Sequence, residues 1–467
     1  MSHAVAEVAG ALRSRFAGEI LCPEDSEFAA AHTIWNGMVQ RTPGLILRCA
    51  NVADVQAAVR ACSVAGVLTA IRCGGHSLAG FSSCDGGVVL DLSRMRDVTV
   101  DPSRRTARAA GGCLLGSIDT ATQAAGLAFP AGVVSHTGAS GLILGGGTGW
   151  LTRLCGLSCD NVEAFTLVTA DGALLRADSG ENSDLYWALR GGGGNFGVVT
   201  EFELRLHPIR CVLLASAWSK GADALRVLRF WREFMPAVPD ALKWNVSLML
   251  APDTAQVPAE LRGRVAVSHG VAWFGGEDEG RLWLKKILAA VAPSAACTET
   301  KSFLALQTMA DSEFPHGARY YTKSGYFLQL DDSTIERMVE SLATVPSARS
   351  QIELAYLGGA AARVDAAETA FGDRGAPFIT NLLAHWNDAH HDEVNVAWVR
   401  RLFATLRPRM KPGVYVNFMS GDEAERVPEA YSARWERLLA IKQKYDPRNF
   451  FRLNQNIRAA NTARSVS

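Results

Sequence analysis

The segment Ile71-Arg72-Cys73-Gly74-Gly75-His76-Ser77-Leu78-Ala79-Gly80 follows an apolar run, 67–71, that has the length and composition of a buried strand. Its three glycines predict a loop whose backbone can approach a ligand closely. Such a loop presents several N–H groups together, which favours a phosphate or pyrophosphate group. The segment alone fits two interpretations: a tight turn with a surface histidine, or a ligand-binding loop with a reactive histidine. The rest of the chain distinguishes them.

The composition is that of an ordinary folded protein, and 467 residues are enough for two domains. Lys+Arg and Asp+Glu number 47 each, so the charge favours neither nucleic acid nor an anionic membrane as a partner. Residues 1–16 lack the long apolar core of a signal peptide, and no apolar run of membrane-spanning length is present. We therefore expect a cytoplasmic monomer or homodimer.

The cysteine and histidine patterns predict no metal site. The ten cysteines form no Cys-x-x-Cys pair and no cluster with zinc spacing, so we expect reduced and mostly buried thiols. Three histidines late in the chain carry no metal-binding spacing and are expected on the surface: His385, His390 and His391.

Glycine usage changes along the chain. Three glycine-rich segments, 74–80, 138–149 and 191–197, separate short predicted strands and helices in the first part. From about residue 208 glycine is sparse, and apolar strands alternate with helices, which predicts an antiparallel sheet backed by helices. Further along, a strand over 412–418 and a helix over 428–444 are predicted, followed by a polar, frayed tail at 459–467.

The segment Gly192-Gly193-Gly194-Asn195-Phe196-Gly197 matches the pattern G-x-G-x-x-G. In a Rossmann fold these glycines follow a strand and open a helix, whose N-terminus holds the pyrophosphate. Here a predicted helix precedes the glycines and a strand follows them. The motif is therefore not interpreted as a nicotinamide-cofactor site.

Four motifs in one order resemble the FAD-linked oxidases of the vanillyl-alcohol-oxidase superfamily, in the branch with berberine bridge enzyme and hydroxynicotine oxidase. They are Arg72-x-Gly-Gly-His76-Ser77, the glycines 145–149 with 156–161, the run 184–200, and the segment 445–456. The resemblance covers 35–457. It implies an α+β, two-domain PCMH-type FAD-binding fold. The FAD-binding domain would be 1–207, the antiparallel-sheet substrate domain 208–411, and the C-terminal segment 412–467 would return to the first domain.

The same resemblance implies FAD as the cofactor, with a covalent bond from His76 to the flavin 8α-methyl group. It implies further FAD contacts from the three loops and the C-terminal segment: Arg72, Cys73, Gly74, Gly75, Ser77, Gly80, Thr137, Gly138, Gly141, Leu142, Gly145, Gly146, Thr148, Gly149, Gly197, Val198, Val199, Asn454 and Asn456. Part of the branch has a second bond, from a cysteine that we align with Gly138. We therefore expect one covalent bond, with Cys155 and Cys159 as packed thiols.

Glu353 is the first candidate for a catalytic group. It lies in an otherwise apolar predicted strand, where a carboxylate is either ion-paired, for instance with Arg363, or has a raised pKa that suits a general base. Tyr415 and Asn417 alternate on one face of a predicted strand, which the resemblance places beside the substrate; core packing is the alternative for Tyr415. Tyr321 is a weaker candidate from a segment that also resembles the family.

The function implied is that of an FAD-dependent oxidase. A C–H bond next to a hydroxyl or amine gives hydride to flavin N5, a protein group takes a proton, and O2 receives the electrons as hydrogen peroxide. The expected substrate is a small alcohol, amine or hydroxylated heterocycle. The alternatives are a tailoring oxidase for polyketides or alkaloids, then an oligosaccharide oxidase, then a flavin-binding protein without turnover.

Overall fold

The computed structural model describes residues 2–458, so the predicted frayed tail 459–467 lies outside the described residues. The strands are β1 (Glu19–Leu21), β2 (Leu45–Arg48), β3 (Thr69–Arg72), β4 (Val88–Asp91), β5 (Val98–Asp101), β6 (Thr106–Ala110), β7 (Val162–Val168), β8 (Leu174–Asp178), β9 (Val198–Arg205), β10 (Cys211–Lys220), β11 (Leu242–Leu250), β12 (Val265–Trp273), β13 (Ala295–Ser302), β14 (Arg319–Phe327), β15 (Gln351–Tyr356) and β16 (Phe378–Trp386).

The helices are mostly short. They are α1 (His3–Leu12), α2 (Phe28–Ala31), α3 (Val52–Ala65), α4 (Leu115–Ala124), α5 (Ala139–Leu144), α6 (Thr152–Cys155), α7 (Ser183–Leu189), α8 (Ala224–Phe234), α9 (Glu277–Val291), α10 (Phe303–Gln307), α11 (Asp332–Ser341), α12 (Ala360–Arg363), α13 (Asp392–Leu406), α14 (Val427–Tyr431) and α15 (Trp435–Tyr445). Within residues 2–458, none of them combines the length and the hydropathy that crossing a membrane requires.

Two sheets form the first half of the chain. The order β1-β2-β4-β3 includes parallel pairing of β4 with both β2 and β3, and the order β5-β6-β9-β7-β8 is antiparallel throughout. Helix α3 connects β2 to β3; Asn51 caps its start by accepting from Asp54 N–H, and Gly66, at a φ of 64°, ends it. At the end of β3, Arg72 pairs with Asp91 of β4 at 2.7 Å, which anchors the start of the first glycine loop.

The third sheet is antiparallel, in the order β13-β10-β12-β11-β15-β16-β14. Strand alternation gives it two different faces. One face carries large apolar side chains, including Trp244 of β11 and Leu354 of β15, which pack with Trp231 of α8 and Trp398 of α13 in one core. The opposite face is largely polar and looks toward the glycine loops.

The C-terminal segment packs into the core of the first half, where Val414, Tyr431 and Ile457 join Phe165 and Phe202. The strand predicted over 412–418 is wrong. The chain makes a short 3₁₀ turn at Val416–Phe418, because its polar groups bond to the second glycine loop instead of to a neighbouring strand.

The helix predicted over 428–444 is divided into α14 and α15 at Ser432, whose φ is 52°. The surface position predicted for His385 is also wrong. Its side chain is buried in β16, with its ring stacked on Tyr320 at 4.5 Å.

Candidate active site

A cavity of about 630 Å³ lies between the glycine loops and the polar face of the seven-stranded sheet. The first, second and third glycine loops, the C-terminal segment and four strands of that sheet contribute to its walls. The sequence-predicted residues that line it are Cys73, Gly74, Gly75, His76, Ser77, Thr137, Gly138, Gly141, Leu142, Thr148, Gly149, Gly197, Val198, Val199, Glu353, Tyr415, Asn417 and Asn454.

The remaining predicted site residues do not line the cavity: Arg72, Gly80, Gly145, Gly146, Tyr321 and Asn456. Arg72 anchors the start of the first glycine loop through its pair with Asp91. Gly145 leaves the space that the Asn417 amide fills, since a Cβ at 145 would overlap it.

The first and second loops touch backbone to backbone at Gly74 and Gly138. A Cβ at either glycine would overlap the backbone nitrogen of the other, so neither position admits a side chain. A cysteine at 138 is therefore incompatible with this backbone, so the second glycine loop has no place for a second bonded cysteine at that position. Among the described residues, Cys73 is the only cysteine on the cavity wall, and its Sγ is hydrogen-bonded to Cys113 O at 3.2 Å.

His76 is held on three sides. Its ring stacks on Trp35 with 4.7 Å between centroids, and its Nε2 lies 2.8 Å from His136 Nδ1. Burial, followed by the nearby imidazoles of His136 and His316, lowers the pKa of His76 to about 2. Its Nδ1 has only a long contact, 3.4 Å to Thr137 Oγ1. The structure thus presents a neutral imidazole with one nitrogen engaged and the other available, as a nitrogen nucleophile requires.

Sequence reasoning missed the partners of His76. His136 lies two residues before the second glycine-rich segment, and His316 lies just before β14. One ring nitrogen from each of the three histidines falls within 4.8 Å of the others. This cluster is also a donor set of the kind that divalent transition metals accept. The sequence separations of 60 and 180 residues carry no local signal for it.

Glu353 projects from β15 into the cavity wall. Asn381 Nδ2 donates to its Oε2 at 2.8 Å and Gln351 Nε2 donates to its Oε1 at 3.1 Å. Burial raises the pKa of Glu353, and the Glu313 carboxylate raises it further. Arg363, the ion-pair partner considered from the sequence, pairs with Asp240 instead. The carboxylate therefore has hydrogen bonds but no counter-ion among the described residues, which favours proton acceptance.

Tyr415 and Asn417 line the cavity but support the second glycine loop. The Tyr415 hydroxyl accepts from Gly147 N–H and from Asn417 Nδ2, each at 2.9 Å. Asn417 Nδ2 also lies 3.1 Å from Leu142 O. Burial raises the pKa of Tyr415 to about 12, so its hydroxyl is protonated at neutral pH. This geometry favours positioning of the loop over proton acceptance.

Tyr321 faces away from the cavity, so we withdraw it as a catalytic candidate. It lies on β14 opposite Ala384, and strand alternation turns both side chains toward the helix layer. Its hydroxyl donates to Asp422 at 2.8 Å and accepts from Arg400 Nε at 3.0 Å.

Lys243 is a second ionisable residue on the cavity wall that sequence reasoning missed. It lies on β11, alternating with large apolar residues, and only 4% of its surface is exposed. Burial and the charge of Arg153 lower its pKa to about 7. The signal that identified Glu353, an ionisable side chain in an apolar strand, was equally present here.

Comparisons with known proteins point to one family. Residues 43–178 match the family model described as FAD binding domain, and residues 414–458 match the model described as Berberine and berberine like. An uncharacterized FAD-linked oxidoreductase of Bacillus subtilis, YgaK, is 31% identical over 95% of this chain and 98% of its own length. The (R)-6-hydroxynicotine oxidase of Paenarthrobacter nicotinovorans is also 31% identical, over 94% of this chain and 96% of its own length.

Solved structures show the same fold. The 6-hydroxy-D-nicotine oxidase of Arthrobacter nicotinovorans superposes with a TM-score of 0.83 at 28% identity, covering 95% of this chain and 98% of its own. The wild-type berberine-bridge-enzyme-like protein 1 of Physcomitrella patens superposes with a TM-score of 0.87 at 24% identity, covering 98% and 99%. The architecture is the α+β, two-domain PCMH-type fold.

The cavity fits FAD, as its own atoms show. Three glycine loops line one wall, and the positions of Gly141 and Gly194 leave open space where a Cβ would stand. Asn454 Nδ2 is bonded to Gly194 O, which leaves its buried Oδ1 without a partner among the described residues. The Ser82 hydroxyl, on the same cavity wall, is likewise unpaired there. A ligand rich in hydroxyl and N–H groups would satisfy both atoms.

Proposed function

Because this chain belongs to the berberine-bridge-enzyme-like family of FAD-linked oxidoreductases, we propose that it is an oxidase of a small organic substrate. It would take hydride from a C–H bond next to a hydroxyl or amine and give the electrons to O2 as hydrogen peroxide. The observation that carries this proposal is the placement of His76 and Glu353 on opposite walls of one cavity. Bound FAD would supply the two-electron acceptor and the reaction with O2.

His76 would hold FAD through one covalent bond. Since Nε2 is engaged by His136, we propose Nδ1 as the bonding nitrogen. His76 is then the tautomer with its proton on Nε2, donating to His136 Nδ1. The bond from Nδ1 would replace one hydrogen of the flavin 8α-methyl group, which leaves as a proton, while the electron pair of that C–H bond passes to the flavin and from it to O2. The Nε2 proton of His76 can pass to His136, which keeps the bonded imidazole uncharged. Stacking on Trp35 fixes the ring plane throughout.

Glu353 would accept the proton of the substrate hydroxyl or amine. The amides of Gln351 and Asn381 hold its two oxygens in place, and the apolar core on the helix side of β15 lies behind it. A positioned base with a raised pKa contributes roughly 10²–10⁴-fold to the rate of such a step. Tyr415 would act indirectly, by fixing the second glycine loop through Gly147.

The test is a peroxide-coupled screen of the purified protein over secondary alcohols, amines, hydroxylated N-heterocycles and sugars. We expect a yellow protein whose colour remains on the polypeptide in a denaturing gel, and peroxide release with at least one substrate class. Absence of flavin after expression with riboflavin would contradict the proposal. A yellow protein without peroxide release over the whole panel would instead favour flavin binding without turnover.

A further inference from the structure

Lys243 stands out among the cavity residues because it has no counter-ion. Other buried ammonium groups in the chain are paired: Lys323 with Asp422 at 2.9 Å, and Lys442 with Asp446 at 2.7 Å. Within residues 2–458, the Nζ of Lys243 has neither a carboxylate nor a hydrogen-bond acceptor as a partner. A buried ammonium group without a partner is costly, so it either loses its proton or is completed by an anion.

The position of Lys243 on the sheet excludes Glu353 as its partner. Glu353 lies directly opposite Ser247 of β11, and Lys243 is four residues further along that strand. Four residues of strand span about 13 Å, and side chains stand roughly perpendicular to a sheet. Asn245 lies between them on the same polar face of the cavity. The positive and negative groups of this face therefore occupy separate ends of the cavity.

The charges around Lys243 make its end of the cavity electropositive. Arg153 of α6 lies behind it and raises the cost of its charge. Arg153 has only a distant carboxylate, Asp240 at 3.9 Å, and its Nη1 is buried without a partner among the described residues. Its other donors reach the backbone carbonyls of Leu242 and Val238. An anion next to Lys243 would thus meet the ammonium group with the Arg153 guanidinium buried behind it.

We propose that Lys243 binds an anionic group of the substrate, so that the substrate class is that of organic acids carrying a carboxylate or a comparably acidic group. This inference rests on the proposed function, because it uses the same cavity as the substrate site. The ammonium contacts the anion, and Glu353 meets the reacting part of the molecule about 13 Å further along the sheet.

The protonation state of Lys243 gives the proposal a pH signature. Its pKa of about 7 means that the ammonium form prevails at pH 6 and is lost above pH 7. Anion affinity should then fall about tenfold for each pH unit above 7. The other titratable groups on the cavity walls are Cys73, His76, Glu313, Glu353, Tyr415 and Tyr431. The two carboxylates become more anionic as pH rises and would weaken anion binding in the same direction, so a variant comparison is needed.

The experiment titrates the flavin-loaded protein with benzoate and with benzamide, its neutral isostere, between pH 6 and 9. Binding is followed by the change in the flavin absorption bands and checked by calorimetry. The variants are Lys243→Met, which keeps the side-chain volume, and Lys220→Met, a matched control at the exposed end of β10. A charge-assisted hydrogen bond favours benzoate by roughly 10- to 100-fold at pH 6 in the wild type. We expect Lys243→Met to remove this preference and Lys220→Met to keep it.

Three outcomes would overturn the proposal: no saturable benzoate binding by the wild type at pH 6, equal affinity for both probes, or a benzoate preference that survives in Lys243→Met. If Lys243→Met does not fold, Lys243→Gln replaces it in the same titrations. These titrations do not require turnover. A protein that prefers benzoate but releases no peroxide would refute the proposed function alone, and peroxide release with equal probe affinities would refute only this inference.

Discussion

Replacement of Glu353 by Gln separates a base from a structural carboxylate. Both hydrogen bonds to Glu353 come from amides, so the change must be accommodated by one amide turning over. The Asn381 amide is fixed, because its Oδ1 accepts from Thr322 Oγ1. The Gln351 amide is not fixed in this way, and after rotation it can accept from the new amide at position 353. We therefore expect the variant to fold with both contacts intact.

The expected effects of Glu353→Gln on the rate of flavin reduction and on stability differ between a catalytic base and a structural carboxylate. If Glu353 is the base, flavin reduction by substrate slows by roughly 10²–10⁴-fold in Glu353→Gln. The folded-state pKa of Glu353 is raised above its usual value of 4.5, so the folded protein is destabilised as the carboxylate ionises at higher pH. The variant should then be at least as stable as the wild type at pH 8, and this difference should disappear near pH 4. Loss of a buried ion pair would instead destabilise the protein by about 3–5 kcal/mol.

The assay is anaerobic stopped-flow reduction with a substrate from the peroxide screen, set beside melting curves at pH 4 and pH 8. Glu313→Gln is the matched control, because Glu313 is also a cavity carboxylate whose pKa burial raises. We expect that control to reduce its flavin within a few-fold of the wild-type rate. A Glu353→Gln enzyme that reduces its flavin at the wild-type rate would refute the base assignment and return Tyr415 to consideration.

The other predictions concern the covalent bond at His76, the charge of Lys243 and the role of Tyr321. His76→Ala should release its flavin on denaturation, and His136→Asn should slow covalent attachment in a time course on denaturing gels. Digestion of the wild type should give one flavin-bearing peptide, which contains His76. A second such peptide would contradict the single bond. Lys243→Met should raise the melting temperature of the flavin-loaded protein at pH 6, since the folded pKa of Lys243, about 7, lies below the usual 10.5. The gain in the free energy of unfolding, on the order of a few kcal/mol, should shrink as pH rises from 7 to 10.5. An unchanged melting temperature at pH 6 would show that the ammonium is solvated or paired. Tyr321→Phe should leave the rate of flavin reduction within about twofold of wild type while weakening the link to Asp422, and a hundredfold loss of rate would restore Tyr321 as a catalytic residue.

The features that the sequence predicted well are those whose signal lies in a short contiguous stretch. The glycine loop with His76 is one, since the residues that shape the turn and the reactive imidazole are neighbours in the chain. Glu353 is another, because a charged residue in an apolar strand is conspicuous by itself. The segment 412–418 shows the limit of such patterns. Val414-Tyr415-Val416-Asn417 alternates like a strand, but it pairs with no strand among the described residues, and its hydroxyl and amide bond to the second glycine loop instead.

The histidine cluster could not be predicted in this way. His76, His136 and His316 come from three separate loops, which the packing of the seven-stranded sheet on the glycine loops brings together. The same packing decides the face of Tyr321. Its segment resembled the family, but successive residues of a strand point to opposite sides of the sheet. A shift of one residue along β14 therefore moves a side chain from the cavity to the helix layer. Only the pairing of β14 with β16 fixes that choice.

Lys243 and Glu353 give the two ends of the cavity opposite charges. Each is an ionisable side chain on the polar face of a strand whose other face packs Trp or Leu into the core. A separation of about 13 Å, with side chains perpendicular to the sheet, places an anion site and a proton acceptor too far apart for a compact hydroxy acid to contact both. An aromatic or otherwise extended acid can do so, with its anionic group at Lys243 and its oxidisable carbon near Glu353. Extended acids should therefore be oxidised with a higher kcat/KM than short ones of the same chemistry, and Lys243→Met should remove that difference mainly through KM.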